Sequence, residues 1–137
     1  MTPVLLDTGV IVALLDRSER HHQRVVELVS SLQAPLVTCE AVVAESCYLL
    51  RKLHGAPAAI LRNVDRGIFQ LPYRLVESAQ RLVRFLDKYA EVPIALADAR
   101  LIDMATELGT GRILTLDSDF RIYRWAKNRR FELMIEL

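Results

Sequence analysis

Short apolar runs alternate with longer segments whose apolar residues recur at helical spacing, and this alternation continues along the chain. The apolar runs predict strands at Val4–Leu6, Pro35–Val37, Ile68–Leu71, Arg112–Leu116 and Phe131–Leu137. Strands that alternate with helices are typical of a parallel sheet covered by helices on both faces. The sequence therefore predicts a single α/β domain over residues 1–137, with a central parallel sheet of about five strands.

Six segments between the strands have apolar residues at the three- and four-residue spacing of a helix. They predict helices over residues 10–15, 19–32, 39–54, 57–67, 75–89 and 95–108. A short helix is also expected after Asp117. Thr38 is a suitable N-cap for the third helix, and Gly55 is a suitable residue to end it. Leu49 and Leu53 are expected on the buried side of that helix.

Length and composition are those of a folded single domain. The 137 residues are 52% hydrophobic and 26% charged, which is enough apolar content for one core. No apolar run approaches the roughly 20 residues of a membrane span, and Met1–Pro3 lacks the basic start of a signal peptide. Cys39 and Cys47 lie too far apart in one predicted helix for a disulfide, so we expect reduced thiols in a cytoplasmic protein.

Arginine dominates the basic residues and is concentrated in two parts of the chain. The net charge of +1 argues against a broadly basic coat, but 15 of the 18 basic residues are arginine. Arginine suits phosphate contacts because its planar guanidinium donates two hydrogen bonds at once. The two clusters are therefore either nucleic-acid contacts or ordinary solvated helix faces. Their members are Arg17, Arg20 and Arg24 in the first cluster, and Arg121, Arg124, Arg129 and Arg130 in the second.

Two acidic residues directly follow apolar strands. Asp7 comes after the first predicted strand, and Asp117 comes after the fourth, which ends at Leu116. In a parallel sheet the carboxyl ends of the strands share one edge, where α/β proteins bind ligands. Both side chains are therefore expected at that edge. Two other interpretations stay open, with Asp7 as the cap of the following helix and Asp117 and Asp119 as turn residues.

Two further acids interrupt apolar helical segments. Glu45 shares a helix face with Val42 and Leu49, and Asp98 shares one with Leu101, so both acids are expected to point inward. Buried acids are uncommon without a partner, and no basic residue is adjacent to either in sequence. A distant arginine could pair with Glu45, and the helix dipole could favour Asp98. A site for Mg²⁺, which prefers oxygen ligands, would account for all four acids together.

Four pieces of the sequence stand in an order and spacing that a known family shares. They are Leu5–Gly9 followed by Ala13–Asp16, Val42–Glu45, Leu96–Ala99 with Leu101, Ile102 and Ala105 behind it, and Thr115–Phe120. On these pieces, which span almost the whole chain, the sequence resembles the PIN-domain family, and most of all its VapC-type ribonuclease toxins. Where that family often has a serine after the Asp-Thr pair, this chain has Gly9, which removes one hydroxyl contact but no carboxylate.

The resemblance implies a three-layer α/β/α fold and an endoribonuclease that depends on Mg²⁺ or Mn²⁺, the toxin of a toxin–antitoxin pair. It implies metal-binding and catalytic roles for Asp7, Glu45, Asp98 and Asp117. It also matches Thr8 and Thr115 to hydroxyl positions that support the acids, and Asp119 to a second, more variable acid. The partners expected on this basis are an RNA substrate with single-stranded or looped regions, a cognate antitoxin and a second copy of the chain in a homodimer.

Cleavage of a phosphodiester requires a neutralised phosphate, a deprotonated water and a stabilised leaving oxygen. Cations held by Asp7, Asp98 and Asp117 suit these tasks, and Glu45 suits a general base or the holder of a water on the metal. The arginine clusters are expected to bind the RNA backbone, since an acidic pocket alone would repel it.

Two other functions compete with this hypothesis. The first is a PIN-like module that binds RNA or protein without cleaving anything, which the presence of all four acids disfavours. The second is a haloacid-dehalogenase-like phosphatase, which also places an aspartate after its first strand. That class needs a second aspartate two residues later, where this chain has Gly9.

Overall fold

The computed structural model describes residues 2–136, and its centre is a five-stranded parallel sheet. The strands are β1 (Val4–Leu6), β2 (Leu36–Val37), β3 (Phe69–Gln70), β4 (Arg112–Leu114) and, near the C-terminus, β7 (Glu132–Leu133). Their order across the sheet is β3-β2-β1-β4-β7. The chain therefore leaves β1 in one direction to build β2 and β3, and later returns to the other side of β1 with β4. Such a reversal opens a crevice at the carboxyl ends of the two strands.

Six α-helices cover the two faces of this sheet. They are α1 (Thr8–Leu15), α2 (His22–Ser31), α3 (Glu40–Leu49), α4 (Ala56–Asp65), α5 (Leu75–Lys88) and α6 (Leu96–Leu108). A 3₁₀ turn spans Ser118–Arg121. Burial explains the unbroken apolar runs of the strands, because all three residues of β1 are fully inaccessible to solvent. The predicted three-layer α/β/α architecture is confirmed.

The third helix is shorter than the sequence predicted. It ends at Leu49, and turns follow as far as Gly55, which adopts a φ of 80° directly before α4 instead of ending α3. Leu49 and Leu53 are exposed, contrary to the expectation that they are buried. Thr38 does not cap α3 either, because its hydroxyl donates to the carbonyl of Leu6 at 2.7 Å. This hydrogen bond links the segment before α3 to the end of β1.

The C-terminal segment contains a hairpin that the sequence analysis missed. Strands β5 (Arg124–Trp125) and β6 (Arg129–Arg130) pair antiparallel outside the main sheet. The last strand of the sheet is correspondingly shorter than predicted, and Leu137 lies outside the described residues. No helix within residues 2–136 is long and apolar enough to span a membrane.

Candidate active site

Asp7 lies at the carboxyl end of β1 and is only 6% exposed. One carboxylate oxygen, Oδ1, accepts a hydrogen bond from the backbone N–H of Thr8 at 2.8 Å, so Asp7 caps α1. The other, Oδ2, accepts a hydrogen bond from the hydroxyl of Thr115 at 2.7 Å. The two interpretations left open by the sequence therefore hold together, because Asp7 both caps the helix and lies at the ligand-binding edge of the sheet.

Asp117 lies at the same edge of the sheet, and Thr115 connects it to Asp7 by hydrogen bonds. The backbone N–H of Asp117 donates to the Thr115 hydroxyl oxygen at 3.0 Å, while that hydroxyl donates to Asp7. Asp117 in turn begins the 3₁₀ turn, and its Oδ1 accepts from the N–H of Asp119 at 2.9 Å. Thr115 is thus a shared hydrogen-bonding partner that fixes the ends of β1 and β4 relative to each other.

Helices α3 and α6 bring the other two acids to this edge. Asp98, half-buried in the first turn of α6, and Glu45 of α3 join Asp7 and Asp117 around one cavity of about 420 Å³. Thr8, Gly9, Leu49, Ala95 and Leu116 complete the lining. Among the described residues, no basic side chain contributes to this lining. The prediction that Glu45 points inward is wrong in one respect, since Glu45 is exposed and faces the cavity rather than the core.

The electrostatics of this cavity reflect crowded negative charge. Burial, and then repulsion from Asp7 and Asp117, raise the pKa of Asp98 to about 6. Burial also raises the pKa of Asp7, although the hydrogen bonds from Thr115 and Thr8 oppose that rise. Within residues 2–136, no basic side chain lines this cavity, and carboxylates grouped without a neighbouring cation are characteristic of functional sites rather than of structural ion pairs.

Tyr123 belongs to the site and was missed by the sequence analysis. Its hydroxyl donates to Oδ2 of Asp98 at 3.3 Å, a contact that lowers the pKa of Asp98. Burial and the neighbouring acids raise the pKa of Tyr123 itself, so the hydroxyl stays protonated and remains a donor. The ring packs edge-on against Phe120 with centroids 5.1 Å apart. The sole sequence signal is the position of Tyr123 shortly after the acidic turn that contains Asp117 and Asp119.

The acidic side chains of this cavity offer the type of ligand atom that a hard divalent cation binds. All four charged groups are carboxylates, and oxygen is the ligand that Mg²⁺ prefers. The buried hydroxyl oxygen of Thr8, in the cavity wall, has no hydrogen-bond partner in the part of the chain that the structure describes, although buried polar groups normally have one. Within residues 2–136, no three acidic, histidine or cysteine side chains stand close enough to hold an ion directly. Mg²⁺ usually keeps several waters and uses one or two carboxylates, so the residues present fit a hydrated ion.

The remaining predicted residues lie outside this cavity. Asp119 is exposed on the 3₁₀ turn. The guanidinium of Arg124 stabilises the local backbone, because its Nη1 donates to the carbonyls of Arg121, Ile122 and Tyr123 at 2.8 to 3.0 Å. The guanidinium of Arg129 lies 5.2 Å from the ring centroid of Trp125. The other predicted arginines are exposed, namely Arg17, Arg20, Arg24, Arg121 and Arg130.

Comparisons with known proteins agree with this architecture. A family model described as the PIN domain matches residues 4–126. Ribonuclease VapC26 of Mycobacterium tuberculosis is 33% identical over 116 residues, which cover 83% of this chain and 86% of that protein. The crystal structure of M. tuberculosis VapC20, described as a toxin that cleaves the sarcin–ricin loop, superposes with a TM-score of 0.80 at 20% identity. That superposition covers 92% of this chain and 98% of VapC20, and it shows a shared fold.

Proposed function

Because this chain belongs to the PIN-domain family and resembles a ribonuclease within it, we propose that it is a metal-dependent endoribonuclease and the toxin of a toxin–antitoxin pair. The observation that carries the proposal is the convergence of four carboxylates on one cavity, which no basic side chain of residues 2–136 lines. Family membership also removes the haloacid-dehalogenase-like alternative, which Gly9 already disfavoured.

Asp7, Asp98 and Asp117 are the residues that would hold a hydrated divalent cation, Mg²⁺ or Mn²⁺, with some of the contacts made through its waters. When bound, such a cation neutralises charge on the scissile phosphate and makes a nearby water more acidic. The two hydrogen bonds on Asp7 fix its orientation, and the Thr115 hydroxyl fixes Asp117 relative to it. These contacts hold the acids in place when their mutual repulsion would otherwise separate them.

Glu45 is the residue best placed to accept a proton from the attacking water. Its carboxylate faces the cavity and is exposed, so it can exchange the proton with bulk solvent. Tyr123 acts through Asp98, because the hydrogen bond from its hydroxyl favours the ionised carboxylate. None of the three histidines lines the acidic cavity, and His22 Nδ1 lies 2.7 Å from the carbonyl of Ala13, which is a structural contact.

The substrate must reach an acidic cavity although it carries negative charge itself. The exposed residues Arg129 and Arg130 lie on the hairpin that begins directly after Tyr123, and they are the basic side chains proposed to hold the RNA backbone. Arg17, Arg20 and Arg24 are proposed to do the same on the loop before α2 and its first turn. Single-stranded or looped RNA is the proposed substrate, since its bases can separate from one another.

Two protein partners belong to this proposal, a cognate antitoxin and a second copy of the chain. Helix α4 leaves the apolar side chain of Leu61 exposed, and burial between two copies would remove it from water. Light scattering at micromolar concentration is expected to report twice the 15.6 kDa chain mass. A monomer near the chain mass would contradict the homodimer.

The direct test of function is cleavage of total RNA by the purified protein with Mn²⁺, followed by mapping of new 5′ ends. We expect discrete cuts that EDTA abolishes and that Asp98→Asn reduces by orders of magnitude. RNA binding without any metal-dependent cleavage would instead favour the module that only binds RNA. An RNase contaminant is recognised because its cleavage persists unchanged in the Asp98→Asn preparation.

A further inference from the structure

A second cavity, of about 440 Å³, lies between α5 and α6 and is closed on one side by the β5–β6 hairpin. Its wall consists of Arg81, Phe85, Lys88 and Tyr89 from α5 and the turn after it, Ile102, Asp103 and Thr106 from α6, and Arg124, Ala126, Lys127 and Asn128 from the hairpin. None of these residues lines the acidic cavity. The proposed chemistry uses none of them.

The charge of this cavity is opposite to that of the acidic one. Four cationic side chains and a single carboxylate line this cavity. Two of the four cations are lysines, although the chain has only three lysines in all. The carboxylate, Asp103, is held by Arg81, which also pairs with Glu107 at 2.9 Å. The ion pairs formed within residues 2–136 use only Arg81 and Arg112 as cations, which leaves Lys88 and Lys127 without an acidic partner there. A phosphate group is the kind of ligand that such free cations bind.

An aromatic surface accompanies these cations. The rings of Phe85 and Tyr89 pack with centroids 4.9 Å apart, and Tyr89 remains 40% exposed. Lys88 Nζ lies 5.4 Å from the centroid of the Tyr89 ring. Tyrosine faces of this kind stack on nucleic-acid bases, and neighbouring cations hold the backbone phosphate. The combination fits a nucleotide better than a simple anion.

The hairpin tip is hydrogen-bonded to α6 beside the cavity. Ala126 and Asn128 have φ values of 50° and 93°, a left-handed conformation that costs about 1 kcal/mol or more for alanine. The N–H of Ala126 donates to the hydroxyl of Thr106 at 3.0 Å, which anchors the tip on α6. Lys127, between these two residues, is thereby kept at the cavity rim.

Helix α6 connects the two cavities. Asp98, Ile102 and Thr106 follow one another at four-residue intervals on one helix face, the first in the acidic cavity and the other two in the basic one. Four residues of helix correspond to about 6 Å and eight to about 12 Å. A strand whose phosphate lies beside Asp98 can therefore place a neighbouring nucleotide in the cavity between α5 and α6.

We propose that this α5–α6 cavity is a nucleotide-binding subsite, which holds the base on Tyr89 and the phosphate on Lys88 and Lys127 of an RNA strand that is cut at the acidic cavity. The inference rests on the proposed ribonuclease function for the identity of the strand. The geometry of the cavity, however, predicts nucleotide binding whether or not cleavage occurs.

The binding test uses Trp125, the single tryptophan of the chain, which precedes Ala126 at the cavity. Nucleoside 5′-monophosphates are titrated in EDTA at low salt while its fluorescence is recorded, with inorganic phosphate as a parallel titrant. We expect saturable binding of the nucleotides, and a Kd for phosphate at least about tenfold weaker. The double variant Lys88→Ala, Lys127→Ala should weaken nucleotide binding by about tenfold or more, whereas Lys52→Ala, which changes the remaining lysine, should not.

Three results would overturn the subsite. They are equal affinity for phosphate and nucleotides, equal weakening by Lys52→Ala and the double variant, and absence of saturable binding at millimolar nucleotide. Substrate length gives a second test, in which the double variant raises KM for RNA oligonucleotides by about tenfold with kcat unchanged. It should raise KM less for a dinucleotide, which has no second phosphate for the lysines to bind. A wild-type protein that binds nucleotides but cleaves no RNA would refute the ribonuclease function and leave the nucleotide site standing.

Discussion

The hydroxyl of Thr115 donates to Oδ2 of Asp7 over 2.7 Å, although 108 positions separate the two residues in the chain. The same hydroxyl oxygen accepts from the N–H of Asp117. One side chain therefore links the ends of the two central strands and two of the four acids. It lies 2% exposed, so water cannot replace these contacts easily.

Thr115→Val should destabilise the protein by about 1–3 kcal/mol, since it leaves a buried carboxylate oxygen and a backbone N–H without their partner. Urea unfolding in EDTA measures the effect. Thr115→Ser keeps the hydroxyl and should stay close to the wild type apart from the lost methyl group. Equal stability of the valine and serine variants would show that the hydrogen bonds contribute nothing.

Asp98→Asn should change stability in a manner that depends on pH. The pKa of Asp98 is about 6 in the folded metal-free protein, against 3.8 for an ordinary aspartate, so the folded state binds the proton more tightly. Wild-type stability should therefore fall as pH rises through the interval between these values, because the unfolded state releases the proton first. The asparagine variant avoids that loss and should melt at a higher temperature than the wild type above the interval.

Melting curves in EDTA across this pH range test the sign. Below pH 3.8 the two proteins should converge, because Asp98 is then protonated in both states of the wild type. Added Mg²⁺ should raise the wild-type melting temperature more than that of the variant, since the ion binds the folded state. An Asp98→Asn protein that melts lower at every pH would mark Asp98 as structural. Asp7→Asn is a less clean test, because the amide has a single oxygen and can accept only one of the two hydrogen bonds that Asp7 receives from Thr8 and Thr115.

Tyr123→Phe should shift the acidic limb of the cleavage profile to higher pH. The variant keeps the packing against Phe120 but loses the hydrogen bond that lowers the pKa of Asp98. A larger fraction of Asp98 is then protonated near pH 6, so activity should fall more there than at alkaline pH. Tyr73→Phe is the matched control, as Tyr73 lies outside the acidic cavity. An unshifted profile would mean that Tyr123 serves packing alone.

Arg129→Ala with Arg130→Ala should weaken RNA binding and reduce its salt dependence by about 1–2 units of slope, if both side chains contact phosphates. A salt series with labelled RNA measures the slope. Arg62→Ala with Arg66→Ala removes two exposed arginines at α4 and its C-terminus and serves as the control. Equal salt-dependence slopes for the two double variants would show that Arg129 and Arg130 are ordinary solvated surface residues that do not contact RNA. Arg124 is left out because its guanidinium bonds backbone carbonyls.

The sequence by itself determined the sheet and the two acids at its edge. A strand that is buried on both faces is apolar throughout, so β1 and β4 appear in the sequence as apolar runs. The acid that follows each run therefore lies at the carboxyl end of its strand. Because parallel strands end at the same edge, Asp7 and Asp117 could be placed together without any tertiary information. Asp98 was expected to point inward because it shares a helix face with Leu101, and its place among the metal-binding acids came from the resemblance to the PIN-domain family.

Only the tertiary structure decided what depends on packing between helices. The orientation of Glu45 and the early end of α3 depend on where that helix meets its neighbours, and apolar residues such as Leu49 do not reveal which side stays in solvent. Tyr123 lies in the site because the chain after β4 folds back onto α6 and brings its hydroxyl to Asp98. Such a long-range contact produces no periodic pattern in the sequence. The basic cavity arises in the same way, since three separate segments form it and each alone resembles an ordinary charged surface.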